Sequence, residues 1–111
     1  YYDTTKDKES FYRGFVLGMT AILVEDFIVR SNRESGYGRY DLVAVPKRKD
    51  KAGFLLEFKT AETEDALDAK AEEALVQIET RDYLAGLDVE GRTMHRYGIA
   101  FCGKKVRVKM N

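Results

Sequence analysis

The chain has 111 residues, 44% of them hydrophobic and 34% charged, which suits one compact domain with a single core. Its 19 basic and 19 acidic residues cancel, so the net charge gives no general attraction to nucleic acid. One cysteine, Cys102, excludes an internal disulfide and favours a reducing, cytoplasmic location. The longest apolar run, residues 15–24, is too short to span a bilayer, so we expect no membrane partner. Because the chain does not begin with Met, we expect residues 1–111 to be one domain of a longer protein.

The first predicted elements are a helix and two strands. Apolar residues recur at helical spacing over about residues 8–24, and this helix is apolar on much of its circumference. Such a helix is typical of burial under another layer or within a larger assembly. Its predicted stripe consists of Phe11, Phe15, Met19 and Ile22. Strands follow at residues 27–32 and 39–47, with a Gly-rich turn between them, and Pro46 closes the second strand.

The second half of the chain predicts a strand, a helix and two more strands. The third strand covers residues 53–61, and Thr63 is the expected N-cap of a helix that stops near Gly86. The buried stripe of this helix is predicted to be Leu67, Ala71, Ala74, Leu75 and Ile78. Strands over 96–102 and 104–110 complete the chain through Gly103. The order αβββαβ, with one further β, predicts a mixed central sheet flanked by helices.

Charged residues inside two apolar strands are the main functional signal. Side chains alternate across a strand, so Glu57 and Lys59 share one face, about 6.6 Å apart along it. If the second and third strands pair, Asp41 can lie beside Glu57. Two adjacent carboxylates repel each other unless a cation lies between them, and oxygen-only ligation suits Mg²⁺. The structural alternative is a buried ion pair that braces the two strands, although it leaves one carboxylate unexplained.

Several stretches carry a family resemblance. The strands GRYDLVAVPK and FLLEFK resemble the PD-(D/E)XK nuclease superfamily. Together with EFK, the segments SNRESGYGRYDLV, AEEALVQI and YGIAFCGKKV resemble the nuclease-like domain that follows an AAA-ATPase-like domain in many bacterial proteins. The likeness covers residues 9–108. It departs from the pattern in one respect, since Asp41 follows Tyr40 where the family has a proline.

The resemblance implies a fold, a reaction and residue roles. The fold is a restriction-endonuclease-like αβββαβ core, and the reaction is Mg²⁺-dependent phosphodiester hydrolysis, with Mn²⁺ as a substitute ion. Asp41 and Glu57 match the metal-binding acids, the carbonyl of Phe58 matches a third ligand, and Lys59 matches the catalytic lysine. The resemblance implies an AAA-ATPase-like domain of the same protein as a partner. The neutral net charge separately predicts weak binding of nucleic acid by this domain alone, so we expect activity to need the rest of the parent protein or a second protomer.

Further residues have both a functional and a structural interpretation. Glu9 and Gln77 match supporting residues of the site, although a helix start and a helix edge explain them about as well. Arg39 can reach a phosphate or form an exposed ion pair. Tyr83 lies where this nuclease group often has a tyrosine. A helical projection places it away from the apolar stripe of the helix, which argues against a role in the site.

Basic residues cluster in two segments outside the acid-rich stretch 61–80. We expect them to contact the nucleic-acid backbone, although solvated faces are the commoner explanation. They include Lys47, Arg48, Lys104 and Lys105. The acidic helix would then face away from the DNA. His95 is expected to be a surface residue, Cys102 a packing residue, and the Tyr and Phe residues core rather than base-stacking platforms.

Two functions follow from these residues. The first is a metal-dependent nuclease that acts on DNA. The second is a non-cutting module that binds nucleic acid or a protein partner through the same fold.

Overall fold

The computed structural model describes residues 4–33, 39–80, 84, 87 and 89–111, with the backbone alone for residues 4–13, 32–33, 39–40 and 80. Its two α-helices, its five strands and a 3₁₀ turn at Glu64–Ala66 follow the predicted order αβββαβ with a further strand. In chain order they are α1 (Thr4–Leu23), β1 (Phe27–Arg33), β2 (Arg39–Pro46), β3 (Gly53–Thr60), α2 (Leu67–Thr80), β4 (Met94–Cys102) and β5 (Lys105–Met110).

The five strands form one mixed sheet in the order β1-β2-β3-β4-β5. Only the β3–β4 pair is parallel; the other three pairs are antiparallel. A parallel pair needs a crossover connection, and α2 provides it between β3 and β4. The β4–β5 pair is instead closed by a two-residue turn in which Gly103 has φ +60°, a conformation that glycine adopts without strain. The predicted mixed sheet flanked by helices is confirmed.

The two faces of the sheet are covered by different helices. On one face, here the α2 face, the predicted stripe of α2 is confirmed, because all five of its residues are 0–7% exposed. Leu67 and Ala71 pack there with Ala100, and Ile78 packs with Leu55. Such burial of apolar side chains contributes about 1.5–3 kcal/mol for each large one.

The opposite face, here the α1 face, carries the larger aromatic core. Alternate residues of the central strands pack there around Val16 of α1: Leu42, Ala44, Leu56, Phe58, Ile99 and Phe101. The ring of Phe15 adds an edge contact to Phe101, with centroids 5.2 Å apart. This face matches the predicted alternation of β3 and β4.

The predicted stripe of α1 is wrong at Ile22, which is 79% exposed. The inward residues are Val16, Met19 and Leu23, at the i, i+3 and i+7 spacing of one helix face. Ile22 precedes Leu23 and so points about 100° away from that face. Phe11 lies outside the residues whose side chains are described.

The predicted helix start at Thr63 differs from the observed start of α2 at Leu67. Thr63 occupies an N-cap, but of the 3₁₀ turn rather than of α2, and its side chain makes no capping hydrogen bond. The Gly-rich turn at 34–38 and the predicted stop at Gly86 lie outside the described residues. In the described part of the chain no helix is both long and apolar enough to cross a membrane.

Candidate active site

The central relationship is that Asp41 of β2 lies directly opposite Glu57 of β3 in the antiparallel register. Directly opposed Cα atoms are about 4.5–5.5 Å apart, and their side chains leave the same face of the sheet. The predicted meeting of these two acids is therefore confirmed. Both are buried, Asp41 at 3% exposure and Glu57 at 0%.

Lys59 lies on the same face, two residues after Glu57. It is 7% exposed, and its Nζ lies 3.5 Å from Oε1 of Glu73 on α2. Leu55 lies two residues before Glu57, so it shares the face of Glu57 and Lys59, and it packs with Ile78 of α2. Both observations place Glu57, Lys59 and the opposed Asp41 on the α2 face. Three buried ionisable side chains thus share this face with the apolar residues that pack under α2.

A glycine of β4 explains why Glu57 is fully buried. Gly98 is the parallel partner of Glu57. A Cβ atom at Gly98 would lie within 3.0 Å of Ala71 O and of the backbone of Leu75. The α2 backbone therefore rests directly on β4 next to the carboxylate, and only glycine permits this approach.

Glu73 is a residue beside the candidate site that the sequence pattern did not predict. It forms ion pairs with Lys59 and, at 3.3 Å, with Lys70. Burial raises the pKa of the Glu73 carboxyl, but the charges and hydrogen bonds of Lys59 and Lys70 outweigh it, so its pKa lies below the ordinary value. A signal was available, since Glu73 lies four residues before Gln77 and so on the same edge of the helix.

Gln77 stays a predicted site residue. Its side chain is half-buried on α2, and its Oε1 atom is fully buried. One turn along the same helix edge, Glu73 reaches Lys59, so Gln77 lies on the side of α2 that borders the site.

The donor set fits a hard divalent cation. The Oδ2 atom of Asp41 and the Oε2 atom of Glu57 are fully buried and belong to opposed residues. Among the described residues no group of three or more Asp, Glu, His or Cys side chains is placed to hold a metal ion. An ion at this pair would therefore complete its shell with water, backbone or substrate oxygens, as Mg²⁺ does. The ring of Phe58 is fully buried on the α1 face, and its carbonyl as a third ligand stays a prediction.

The predicted nucleic-acid contacts fall at opposite ends of the sheet. Arg39 begins β2 opposite Lys59, at the site end, although its side chain is outside the described set. Lys104 and Lys105 lie at the β4–β5 turn, at that same end. Lys47 and Arg48 follow β2 at the other end. Arg48 pairs with Asp50 at 3.0 Å, and Lys47 donates to the carbonyl of Glu25.

The acidic and basic segments of the sequence pair with each other. Lys105 lies 3.0 Å from Glu64, and Asp68 lies 3.0 Å from Arg107 and 3.1 Å from Lys109. The hydrogen bond from Lys109 is the largest effect on the pKa of Asp68 and lowers it, while burial raises it. The charge of Lys109 and the hydrogen bond and charge of Arg107 lower it further, so the pKa lies below its ordinary value. These ion pairs form because β5 lies alongside α2, and the orientation of the acidic helix away from the DNA stays a prediction.

Four further residues were assigned from the sequence: Glu9, Tyr83, His95 and Cys102. Glu9 lies within α1, with its side chain outside the described set, and Tyr83 is outside it altogether. His95 is half-buried rather than fully exposed, with its ring 6.1 Å from that of Phe54. Cys102 is a half-buried free thiol that packs beside the Ala61 cluster, as expected of a packing residue.

Fold and site together define an α/β protein with two opposed acids and a lysine on the strand after a β-hairpin. The family model of the PD-(D/E)XK nuclease superfamily matches residues 7–111, and the chain belongs to this superfamily. The fold is accordingly of the restriction-endonuclease-like type, and the superfamily consists generally of nucleases that use divalent metals. No curated protein and no solved structure matches the chain.

Proposed function

We propose that this domain hydrolyses phosphodiester bonds in DNA with the help of Mg²⁺. The observation that carries the proposal is the direct opposition of two buried acids, Asp41 and Glu57, with Lys59 on the same face. Buried carboxylates at neighbouring positions are costly unless a cation is bound or a proton is shared. A divalent ion bound between the two carboxylates would offset the free-energy cost of burying them.

Each residue of the site has a distinct chemical task. Asp41 and Glu57 would hold the ion, which when bound polarises the scissile phosphate and stabilises developing charge. Lys59 carries the proton donors that orient the attacking water or the phosphate. Glu73 restrains Lys59 through the 3.5 Å contact, and Gln77 supplies a polar group on the same helix edge.

The covering of the sheet favours one direction of approach for the nucleic acid. Because α2 rests on the face that carries the acids and α1 covers the other, we expect the nucleic acid to approach from the end of the sheet where β2 begins and β3 ends. Arg39 and Lys104 lie at this end. The acids of α2 at its β5 side are already paired with bases, which reduces their repulsion of a phosphate backbone.

Cleavage of DNA by the wild-type chain tests the proposal. With Mg²⁺ or Mn²⁺, plasmid, single-stranded and branched DNA should be cut, and Asp41→Asn, Glu57→Gln and Lys59→Ala should each lose at least about 100-fold in rate. Asp50→Asn, in an exposed loop, is the matched control and should keep full activity. Equal cutting by wild type and Asp41→Asn would refute the role of the acid pair.

A second function is a non-cutting module that binds nucleic acid or a protein. The observation that favours it is closure of the site, since Glu57 is 0% exposed and Lys59 is already paired with Glu73. Binding of DNA by wild type without cleavage in either metal would support this alternative. An AAA-ATPase-like domain of the same protein and a second protomer stay proposed partners, and the exposed apolar residues of α1 are compatible with such contacts.

A further inference from the structure

A cavity of about 730 Å³ lies at the end of the sheet remote from the acid pair. It is lined on one side by the turn from α1 to β1 and on the other by the loop after β2. Its central residue is Phe54, three positions before Glu57 on β3 and on the opposite face. Neither Asp41, Glu57 nor Lys59 lines it, so it is distinct from the candidate active site.

Four aromatic side chains form the floor of this cavity. The ring of Phe54 lies 5.9 Å from Phe27, 6.1 Å from His95 and 6.2 Å from Tyr97, with interplanar angles of 35–40°. All four residues are only half-buried, because α1 ends at Leu23 and does not extend over them. Tilted, partly exposed rings provide π-faces on which a planar ligand ring can stack.

The rim is a loop held in place from both sides. On one side Lys47 N donates to the carbonyl of Asp26 at 2.9 Å. On the other side Arg92 donates from Nη1 to the carbonyls of Arg48 and Lys51. These bonds fix the backbone of the loop beside the aromatic floor, and none of them uses the ammonium group of Lys51.

The charges of the rim select the kind of ligand. Arg48 is paired with Asp50, and Glu25 and Asp26 also line the cavity, so its net positive charge is small. A long run of phosphates would therefore gain little electrostatic attraction from this cavity. Lys51 has no ion-pair partner among the described residues, and it can take one phosphate group while the rings take a base.

We propose that this cavity binds a nucleotide, with its base stacked on the ring of His95 and its neighbours and its phosphate at Lys51. The nucleotide could be a free nucleoside monophosphate or an unpaired nucleotide within a strand, because both present the same base and phosphate. The site goes beyond the proposed cleavage activity, because it uses none of the residues of the acid pair.

Calorimetric titration of the full chain in EDTA tests the proposal without cleavage. The probes are deoxyadenosine monophosphate, deoxyadenosine, inorganic phosphate, and a ten-nucleotide single strand with its duplex. Binding of the monophosphate shows a free-nucleotide site, and binding of the single strand alone shows a strand site. The duplex should bind at least about fivefold more weakly than its single strand, because its bases are already stacked on one another. Absence of binding by both the monophosphate and the single strand, or equal binding of phosphate and monophosphate, would overturn the proposal.

Variants assign the binding to this cavity. Lys51→Gln should weaken binding of whichever phosphate-bearing ligand binds, by about 3- to 10-fold. The matched control Lys49→Gln, in the same loop but outside the lining, should change it less than about twofold. His95→Ala should weaken base binding at least about fivefold, and His95→Phe should restore it, which separates stacking from misfolding. Asp41→Asn should bind as wild type does. Equal effects of Lys51→Gln and Lys49→Gln would contradict the site.

Discussion

Gly98 of β4 is the parallel neighbour of Glu57 of β3, so a close approach of the α2 backbone to the sheet falls beside the buried carboxylate. The residue that lets α2 pack closely on the sheet is therefore the neighbour of a predicted metal-binding acid. The α2 backbone covers Glu57, which is 0% exposed, and the low polarity of these surroundings strengthens the electrostatic interactions of that carboxylate. The same contact positions Glu73 within reach of Lys59.

The first prediction concerns Gly98→Ala. A methyl group there would lie within 3.0 Å of the α2 backbone, so α2 must move and the free energy of unfolding should fall by about 1–3 kcal/mol. Thermal denaturation should show a Tm lower by roughly 5–15 °C. The matched control is Gly18→Ala in α1. A Cβ there would meet no atom of the described residues beyond its own helix backbone within 4 Å, and the helix should gain about 0.5–1 kcal/mol. Similar Tm values for both variants would contradict the close contact.

The second prediction concerns metal binding without activity. If Asp41 and Glu57 hold the ion, Mn²⁺ at 100 times its Kd should stabilise the wild-type fold by about 2.7 kcal/mol. Scanning calorimetry with Mn²⁺ and with EDTA measures this gain as a rise in Tm. Asp41→Asn and Glu57→Gln should lose it, whereas Asp50→Asn should keep it. A rise that survives in both site variants would place the ion elsewhere.

The sequence predicted the residues whose positions follow from strand geometry. Alternation put Glu57 and Lys59 on one face, and antiparallel pairing put Asp41 beside Glu57, because both are properties of the backbone. The helical period likewise found the buried stripe of α2. The restriction-endonuclease-like fold follows from the order of the elements and the family match.

Contacts between separate elements were harder to predict. The Lys59–Glu73 pair depends on how α2 is rotated over β3, which periodicity alone does not fix precisely enough for one side chain. The prediction that aromatic residues are core is correct for Phe58 but incomplete for Phe54. Whether a ring is covered depends on where α1 ends, at Leu23, and helix ends are the least predictable part of a sequence pattern.

The third prediction concerns Glu73→Gln. The ion pair with Lys59 is half-exposed on its Glu73 side, so the stability should change by less than about 1 kcal/mol. The cleavage rate kcat should fall about 10-fold with KM little changed, because Lys59 loses the group that orients it. The control is Glu72→Gln, an exposed neighbour on α2. Retention of the Mn²⁺-induced rise in Tm would show that Glu73 acts on Lys59 and not on the metal. A normal kcat in Glu73→Gln would exclude this role.

The fourth prediction compares adjacent lysines at the β4–β5 turn. Lys105 is paired with Glu64, whereas Lys104 has no ion-pair partner among the described residues. If this end of the sheet meets DNA, Lys104→Gln should reduce the slope of log K against log salt by about 1, as expected for one lost phosphate contact. Lys105→Gln should reduce it by less, because Glu64 already neutralises that charge. DNA binding measured at several salt concentrations in EDTA gives the slope for each variant. A larger reduction of the slope in Lys105→Gln than in Lys104→Gln would show that DNA displaces Glu64 from Lys105.

The fifth prediction concerns stability in acid. Lys109 and Arg107 hold the pKa of Asp68 below its ordinary value of 3.8, with the hydrogen bond from Lys109 as the largest cause. A carboxyl whose pKa is lower in the folded state stabilises the fold above the unfolded pKa, and that contribution is lost as the pH falls through the folded pKa. Asp68→Asn should therefore lower the Tm at neutral pH, and the difference from wild type should narrow as the pH falls below 3.8. It should also shrink in high salt, because the pairs are exposed. Asp65→Asn, an exposed acid of the 3₁₀ turn, is the control and should follow the wild-type curve. A difference between Asp68→Asn and wild type that stays constant from neutral pH into acid would show that the charge of Asp68 does not cause the stabilisation.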